Sequence, residues 1–478
     1  MKIVSLHLEN YRCFENFDID FDPELTVLVG VNGSGKTALL DALAVFLKIA
    51  IDKTSKNLSL ADFGLAESDT RVGKNNEAVK LCLEVSICEH PEHNRRVPID
   101  SSCIPSTNNL ASEKISQKQR SCAKKEICTV KKIGLNALRQ FFSVKEIQPK
   151  QSPRNCFYSY RDGIPALAPS QQFAIAAYYS AQRCLPKQLT ATPLTGKNSA
   201  FSEAFDANIN FNTTLKWFED KDAEEARDFR DNPDIKDYQN PILQAVRGAV
   251  ALALGDGESA YEFPRMKGSN PAKLFIKHKE TGVDYEATML SDGYRTMLAL
   301  VMDLARRMAV ANEHVEWEKE KGETVLHSPG IVLIDEVELH LHPAWQQTVL
   351  PTLTKIFPKT QFIVTTHSPQ VLTSIRKEHI RLLGVDDQQA IIPDDDTGTY
   401  GAESSRVLAE IFGTNPRPPQ ADSVENLREY WKLLEARQES TPRAKELRHD
   451  LEKDLGPQDS DLMRADVRIA QLQFLGKK

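Results

Sequence analysis

A glycine-rich loop between a buried strand and a helix constrains this chain more than any other feature. Residues 30–37 read GVNGSGKT and fit the pattern G-x-x-x-x-G-K-[ST] at every fixed position. The preceding segment, LTVLVG at 25–30, is a nearly continuous apolar run, and residues 37–51 have helical periodicity with good helix formers. The order strand, loop and helix therefore predicts a phosphate-binding loop in an α/β fold.

This loop predicts how a nucleoside triphosphate and magnesium are bound. Backbone N–H groups in the loop can surround phosphate oxygens at the positive end of the following helix. The residues expected to do so are Asn32, Gly33, Ser34 and Gly35. Lys36 is expected to neutralise charge on the β- and γ-phosphates, and Thr37 to bind Mg²⁺. ATP and Mg²⁺ are therefore the expected cofactors.

Two adjacent carboxylates follow a second buried strand. The apolar residues 331–334 lead directly into Asp335 and Glu336. We expect Asp335 to hold the water bound to magnesium, and Glu336 to polarise the water that attacks the γ-phosphate. For an isolated acidic pair, the alternative is a solvated strand end. A third apolar run ends at residue 366, and the helical segment 344–357 between the two runs predicts a parallel βαβ unit.

The segment LSDGYR at 290–295 makes a family resemblance specific. It opens a predicted helix that continues to residue 320, and it resembles the L-S-x-G signature of ABC ATPases. The resemblance implies that Ser291, Asp292 and Gly293 cap the γ-phosphate held by a second copy of the chain. Because Ser and Asp are also common helix N-caps, a plain N-cap is the alternative for this segment.

The residues after the carboxylates extend the resemblance. ELHLHP at 338–343 resembles the D-loop of the SMC-like and OLD-like branch, and its histidines lack the spacing of a metal-binding H-E-x-x-H helix. His367, in TTHSP, has the position of the switch histidine that contacts the γ-phosphate in the family. The resemblance thus implies a composite ATP site with Lys36, Glu336 and His367 as catalytic residues, formed when two heads dimerise.

Two further site residues depend on weaker matches. Gln182 ends an apolar run, and the resemblance implies that it reaches Mg²⁺ as the Q-loop glutamine of the family does, although its spacing leaves this open. Arg12, in NYRCF, resembles a position that approaches the nucleotide in this branch. A surface salt bridge is the alternative for Arg12.

Charge and hydropathy limit the remaining classes. The net charge of −7 argues against a globally basic nucleic-acid binder, although DNA contact through a local groove stays open. No run of about 18 apolar residues and no signal-peptide pattern occurs, so we expect a cytoplasmic protein without a membrane span. The eight cysteines lack paired spacing and indicate reduced thiols. A zinc site is disfavoured for Cys88, His90, His93 and Cys103.

The order of the motifs predicts an ABC-type P-loop ATPase head of the α/β class. We expect antiparallel N-terminal strands, a central parallel sheet, a helical insertion without long coiled coil, and a helical C-terminal appendix. The predicted segments are 1–51 for the first part of the head, 52–285 for the insertion, 286–387 for the second part of the head, and 388–478 for a helical partner-binding region.

Several tasks of this ATPase class are disfavoured by the rest of the chain, since the fold alone does not define one. A transporter subunit has a compact head without the large insertion present here. SMC-like repair proteins need sustained heptads, which the insertion lacks. A Toprim nuclease needs acidic residues on strands, whereas Asp394–Asp396 fall in a predicted loop. We therefore expect the chain not to be a nuclease itself.

The C-terminal segments resemble the helical tail of the ATPases of Septu and retron anti-phage systems. The matching segments are TYG at 399–401, VLAEIFG at 407–413, LG at 455–456 and DLMRAD at 461–466. The resemblance implies a regulatory ATPase subunit that forms homodimers or larger homo-oligomers. It also implies an HNH endonuclease partner that degrades DNA and binds the C-terminal helices. The alternative is a stand-alone DNA-repair or recombination ATPase that clamps DNA.

Overall fold

The computed structural model of this chain defines two compact units, residues 1–402 and 403–478. The described residues are 2–51, 80–86, 94–100, 172–183, 200–201, 203–205, 211–231, 239–255, 262, 264–268, 273–315, 324–384, 389–394 and 396–475. Cys88, His90, His93 and Cys103 lie outside these ranges.

A five-stranded parallel sheet lies at the centre of the first unit. In spatial order its strands are β12 (Ile380–Leu383), β3 (Leu25–Gly30), β11 (Thr360–Thr366), β10 (Gly330–Ile334) and β6 (Ile175–Tyr179). The four apolar runs of β3, β6, β10 and β11 are buried almost throughout, which is typical of a parallel sheet covered on both faces. The predicted central parallel sheet is confirmed. Its carboxyl edge brings the P-loop, the acidic pair and the turn after β6 together.

The N-terminal strands form a separate antiparallel sheet. Its spatial order is β2 (Phe14–Asp20), β1 (Lys2–Tyr11), β4 (Lys80–Ser86) and β5 (Asn94–Asp100). Alternate residues of β1 and β2, among them Leu6, Leu8, Phe17 and Ile19, are buried in one apolar core with helix α1 (Lys36–Ile51). The antiparallel N-terminal strands predicted from this alternation are therefore confirmed.

The remaining described elements of the first unit are mostly helical. The long helices are α2 (Asn212–Asp231), α3 (Pro241–Leu254) and α4 (Asp292–Ala311). Short helices α5 (Pro343–Gln346), α6 (Val349–Ile356) and α7 (Pro369–Leu372) follow, and β7 (Arg265–Lys267), β8 (Lys273–Lys277) and β9 (Asp284–Glu286) form a small antiparallel sheet. The single-turn 3-10 helices span Ala287–Met289, Val325–His327 and Lys377–His379.

Two predicted helices end differently from expectation. Helix α4 stops at Ala311, because the side chain of Asn312 bonds the backbone N–H and carbonyl of Phe173 and the chain turns there. The predicted single helix at 344–357 is two helices, α5 and α6. Pro351 explains the break, since its ring and missing N–H do not allow a helix to run through from Gln347.

The described part of the second unit contains four helices: α8 (Ser404–Glu410), α9 (Asp422–Glu435), α10 (Pro442–Leu455) and α11 (Ser460–Leu475). Helices α9, α10 and α11 share a small apolar core. Its members are Leu427, Tyr430, Leu434, Ala444, Leu447, Leu451, Leu462 and Ala465. Arg448 of α10 adds a two-pronged ion pair with Asp466 of α11, at 2.7 and 2.9 Å. The predicted helical C-terminal region is confirmed.

Candidate nucleotide-binding site

The glycine-rich loop has the backbone that a phosphate-binding loop requires. It connects the end of β3 to the start of α1, and Gly33 and Gly35 have φ values of +85° and +93°, which glycine adopts without strain. A Cβ on Gly35 would lie 2.3 Å from Cζ of Phe14, so the turn between β1 and β2 packs directly on the loop. Asn32 and Gly33 are exposed, and Ser34 and Gly35 are half-buried.

Lys36 lies within this loop. Its Nζ donates hydrogen bonds to the carbonyl oxygens of Gly30 at 2.8 Å and Val31 at 3.0 Å. Burial lowers the pKa of Lys36, and the nearby carboxylates of Asp335 and Glu336 act in the opposite direction. The ammonium group is therefore buried beside both predicted carboxylates, where its charge can also meet that of a phosphate.

Thr37 and Asp335 meet at the sheet edge. The Thr37 hydroxyl donates to Asp335 Oδ2 at 3.1 Å, and the Thr365 hydroxyl donates to Oδ1 of the same buried carboxylate at 2.6 Å. Mg²⁺ prefers oxygen ligands and usually takes only one or two carboxylates beside phosphate and water. Within the described residues, no group of three or more His, Cys, Asp or Glu side chains is arranged to hold a metal. Because both groups offer oxygen atoms, the Thr37 hydroxyl and the Asp335 carboxylate fit the predicted magnesium site.

Glu336 has an unusual backbone conformation. Its φ is +48°, in the left-handed region that non-glycine residues rarely adopt. The Glu336 N–H donates to the Thr365 hydroxyl at 2.7 Å, and the next N–H, of Val337, donates to the Thr365 carbonyl at 3.0 Å. Bonds to β11 therefore hold the chain as it leaves β10 and place Glu336, half-buried, beside Asp335.

Arg183 is a site residue that the sequence analysis missed. It is 2% exposed and donates to the carbonyl oxygens of Asp335, of Glu336 at 2.6 Å and of Ser180 at 3.0 Å. Burial lowers the pKa of Arg183 to about 10, while the carboxylate of Asp335 acts in the opposite direction. The sequence holds no signal for these contacts, because main-chain carbonyls are present at every residue.

Gln182 lies in the turn directly after β6. Tyr179, the last residue of β6, pairs with Ile334 of β10, so this turn is next to Asp335. The Gln182 side chain is exposed, and its backbone N–H donates to the Ser180 hydroxyl at 3.2 Å. The structure thus brings Gln182 to the correct edge of the sheet, and its role as a magnesium ligand stays a prediction.

His367 follows β11 at the same edge. Its backbone N–H donates to Oε1 of Glu338 at 2.5 Å, which joins the chain after β11 to the chain after β10. The next residue, Ser368, caps helix α7 by accepting from the N–H groups of Gln370 and Val371. His367 is therefore held between two ordered segments, and its contact with the γ-phosphate stays a prediction.

The signature segment packs on the chain that follows the carboxylates. A Cβ on Gly293 would lie 2.5 Å from the carbonyl oxygen of His340, and the ring of Tyr294 lies 4.1 Å from that of Trp345. Ser291 occupies the N-cap position of α4, but its side chain makes no capping hydrogen bond. Ser291 and Asp292 are exposed, and the Asp292 carboxylate accepts from Arg295 Nη1 at 2.9 Å.

Arg12 has the salt bridge that was the alternative to nucleotide contact. Its Nη1 donates to Asp41 Oδ2 at 2.6 Å, and the Tyr178 hydroxyl donates to Oδ1 of the same carboxylate at 3.0 Å. Burial raises the pKa of Tyr178, and the charge of Asp41 raises it further. Asp41 lies one helical turn beyond Thr37, so Arg12 is near the P-loop. Any contact with nucleotide stays a prediction.

A buried polar cluster joins the signature helix α4 to β6. Asp303 accepts from the Tyr179 hydroxyl at 3.0 Å and from the Thr214 hydroxyl at 2.6 Å, and it pairs with Arg306 and Arg307 at 3.0 and 2.6 Å. Burial raises the pKa of Asp303, but the charges of Arg307 and Arg306 outweigh it, so the pKa lies well below its usual range. The Tyr179 carbonyl in turn accepts from the Asp335 N–H at 2.8 Å.

Comparison with known proteins agrees with this arrangement of motifs. The profile of the family described as "AAA ATPase domain" matches residues 1–372. The chain belongs to this family. It is 26% identical to the "Retron Ec83 probable ATPase" of Escherichia coli, over 98% of this chain and 86% of that protein. It is 28% identical to the "Septu protein PtuA" of Bacillus thuringiensis, over 31% of this chain and 37% of that protein.

Among solved structures, an SMC head bound to the C-winged helix domain of ScpA is similar, with a TM-score of 0.41 and 16% identity over 82% of this chain and 98% of that chain. The resemblance to the ATPases of retron and Septu systems is confirmed. Within the described part of the chain, no helix is both long and apolar enough to cross a membrane.

Proposed function

We propose that this chain is the ATP-binding, ATP-hydrolysing regulatory subunit of a bacterial anti-phage defence complex. In this proposal two copies dimerise head to head around ATP in the cytoplasm, and the ATP state controls a separate HNH endonuclease that degrades DNA. Larger homo-oligomers of the same head are part of the proposal. The observation that carries the ATPase part is the meeting of Lys36, Thr37 and Asp335 at one sheet edge.

The proposed half-site combines residues that follow four different strands of the central sheet. The loop after β3 supplies the N–H groups of residues 32–35 and the Lys36 ammonium for the phosphates. Thr37, Asp335 and Gln182 would hold Mg²⁺, which neutralises phosphate charge when it is bound. Glu336 would take a proton from the attacking water, and His367 would contact the γ-phosphate.

The signature residues support a site that a second copy completes. Ser291 and Asp292 are exposed, and the side chain of Ser291 is not used to cap its own helix. Gly293 fixes the start of α4 against the backbone of His340. The Ser291 hydroxyl and the positive helix N-terminus suit an anion bound by another molecule, and Arg295 pairs with the Asp292 carboxylate at 2.9 Å and so offsets its negative charge. We therefore assign Ser291 to Gly293 to the facing subunit's nucleotide.

The defence role is carried over from the relatives. The similarity to a protein named as a retron ATPase extends over nearly the whole chain, including the C-terminal helices. Residues 403–478 form a compact unit with its own core, which suits a module that binds another protein. We assign nuclease binding to the region 388–478, and ATP binding to 1–51 together with 286–387.

Co-purification tests this role. The genes beside this one are searched for an HNH endonuclease, which is co-expressed with the chain, and the pair is captured on the ATPase. We expect the nuclease to be retained by the full chain and by Lys36→Ala, and to be lost when residues 404–478 are deleted. Tight, ATP-dependent binding of duplex DNA by the chain alone, with no retained nuclease, would contradict the proposal and favour a stand-alone repair clamp.

A further inference from the structure

The guanidinium of Arg183 joins the ends of two neighbouring strands at the candidate site. Its Nη1 donates to the Asp335 carbonyl and, at 3.0 Å, to the Ser180 carbonyl, and its Nη2 donates to the Glu336 carbonyl at 2.6 Å. Ser180 directly follows β6, and the two acidic residues directly follow β10. The side chain therefore fixes the main chain at the point from which both carboxylates project.

We propose that Arg183 is a positioning residue for ATP hydrolysis: it fixes the carbonyls of Asp335 and Glu336 and so sets where their carboxylates lie. The inference rests on the proposed roles of these two acids. Arg183 would touch neither nucleotide nor water, and would act only through the peptide groups that it holds.

The backbone of Glu336 shows why such a residue is needed. A left-handed conformation is unfavourable for a residue with a side chain, and it persists only where the surroundings fix it. The N–H of Glu336 is held by the Thr365 hydroxyl at 2.7 Å, and its carbonyl is held by Arg183 at 2.6 Å. The same carbonyl also accepts from the Leu339 N–H at 2.9 Å, so loss of the Arg183 bond would shift this peptide rather than release it, and a small shift is enough to displace the carboxylate.

Arginine is suited to this position, and lysine is not a substitute for it. The planar guanidinium presents several N–H donors in a fixed fork, so one side chain can hold two successive carbonyls at once. An ammonium group keeps the charge but donates from a single atom. Arg183→Lys therefore removes the simultaneous hydrogen bonds to two successive carbonyls, while it retains the positive charge and most of the side-chain volume.

Arg381 is a matched control in the same unit. It is also buried, and it also donates to main-chain carbonyls, those of Asp20 at 2.7 Å and of Glu378 at 2.7 Å. It lies on β12, at the opposite edge of the sheet from β6. Arg381→Lys therefore removes a similar set of carbonyl bonds without touching the acidic pair.

The test compares full-length wild type, Arg183→Lys, Arg183→Gln and Arg381→Lys. We expect kcat for ATP hydrolysis to fall ~10–100-fold in both Arg183 variants, because a small displacement of a reacting group has an effect of this size. KM should change much less, and Arg381→Lys should keep the wild-type kcat. A kcat for Arg183→Lys within twofold of that for Arg381→Lys would overturn the proposal.

A second measurement does not depend on turnover. ATP affinity is measured with Mg²⁺ and with EDTA, and we expect the gain that Mg²⁺ provides to fall ~10-fold in Arg183→Lys, since groups that orient a metal ligand have effects of this order. An unchanged gain would overturn the proposal. So would unfolding of both Arg183 variants at a temperature at which Arg381→Lys stays folded, because the arginine would then serve general stability.

Glu336→Gln, measured in parallel, separates the two hypotheses. If it hydrolyses ATP as fast as wild type, the proposed role of Glu336 fails, and the magnesium-dependent affinity of the Arg183 variants still tests whether Arg183 positions Asp335. If Glu336→Gln is inactive while Arg183→Lys matches Arg381→Lys in both measurements, the proposed function stands and the role of Arg183 is wrong.

Discussion

The hydroxyl of Thr37 donates a hydrogen bond to the carboxylate of Asp335 over 3.1 Å, although the two residues are 298 positions apart in the chain. Thr37 lies in the first turn of α1, and Asp335 directly follows β10. Because β11 separates β3 from β10 in the sheet, only the folded sheet edge can bring these two oxygen donors together. Their meeting point defines the candidate magnesium site.

Thr37→Ala is expected to weaken magnesium-dependent ATP binding and to leave binding in EDTA unchanged. The variant removes one predicted oxygen ligand but leaves the loop backbone in place. The affinity with Mg²⁺ should fall ~10-fold or more. Titration with a fluorescent ATP analogue measures this, and Thr37→Ser, which keeps the hydroxyl, is the control. Equal affinities for the Ala and Ser variants would contradict the assignment.

Lys36→Ala is expected to abolish measurable ATP binding. The buried ammonium of Lys36 is the loop's side-chain cation, and its removal leaves the phosphate charge opposed by Asp335 and Glu336 without compensation. Lys48→Ala, in the last turn of the same helix, is the matched control and should bind ATP as wild type does. Isothermal titration of both variants tests this, and retained binding by Lys36→Ala would refute the role.

Glu336→Gln is expected to bind ATP with wild-type affinity, to stop hydrolysis and to accumulate a dimer. The amide keeps the size of the side chain but cannot accept a proton from water. Light scattering with and without ATP measures the molar mass of the particle and so distinguishes monomer from dimer. Phosphate release measures turnover. Adding Ser291→Arg to this variant should prevent the dimer, because the arginine occupies the exposed signature. A Glu336→Gln chain that neither binds ATP nor differs from wild type in mass refutes the assignment.

Gly293→Ala is expected to disturb the signature helix. The new Cβ would meet the His340 carbonyl oxygen at 2.5 Å, and a main-chain atom cannot move aside as a flexible side chain can. We expect a loss of about 1–3 kcal/mol in the free energy of unfolding and lower ATPase activity. Gly248→Ala, in helix α3, has no atom within 4 Å of its new Cβ and should gain up to about 1 kcal/mol. Chemical denaturation of both variants tests the contrast.

Asp303→Asn is expected to destabilise the first unit by about 3–5 kcal/mol at pH 7, because it leaves Arg306 and Arg307 buried without their partner. The folded state lowers the pKa of Asp303, so the unfolded chain binds its proton more readily and stability must rise with pH. The contribution of Asp303 is complete above the unfolded pKa of about 4 and is lost as pH falls below it toward the folded pKa.

Denaturation at pH 7 and below pH 4 therefore tests the Asp303 cluster. The gap between wild type and Asp303→Asn should narrow in acid. Asp220→Asn, which breaks an exposed pair with Lys216, is the control and should change stability by less than about 1 kcal/mol. A gap that is the same at both pH values would contradict the assigned origin of the stabilisation.

The local elements of this protein can be predicted from short segments of its sequence. The strand, loop and helix around Lys36, the acidic pair after an apolar run and the helices of the C-terminal region follow from periodicity and turn chemistry within short segments. Each of these signals comes from neighbouring residues, so no knowledge of the rest of the chain is needed to recognise it.

How these elements meet could not be predicted in this way, because it depends on the folded chain. Strand β6 lies beside β10, although the two are far apart in the chain. Arg183 bonds the main-chain carbonyls of Asp335 and Glu336, and Asp303 is buried with two arginines. Such contacts depend on strand order and packing. They leave no local pattern, because a carbonyl oxygen looks the same at every residue until the fold places a donor beside it.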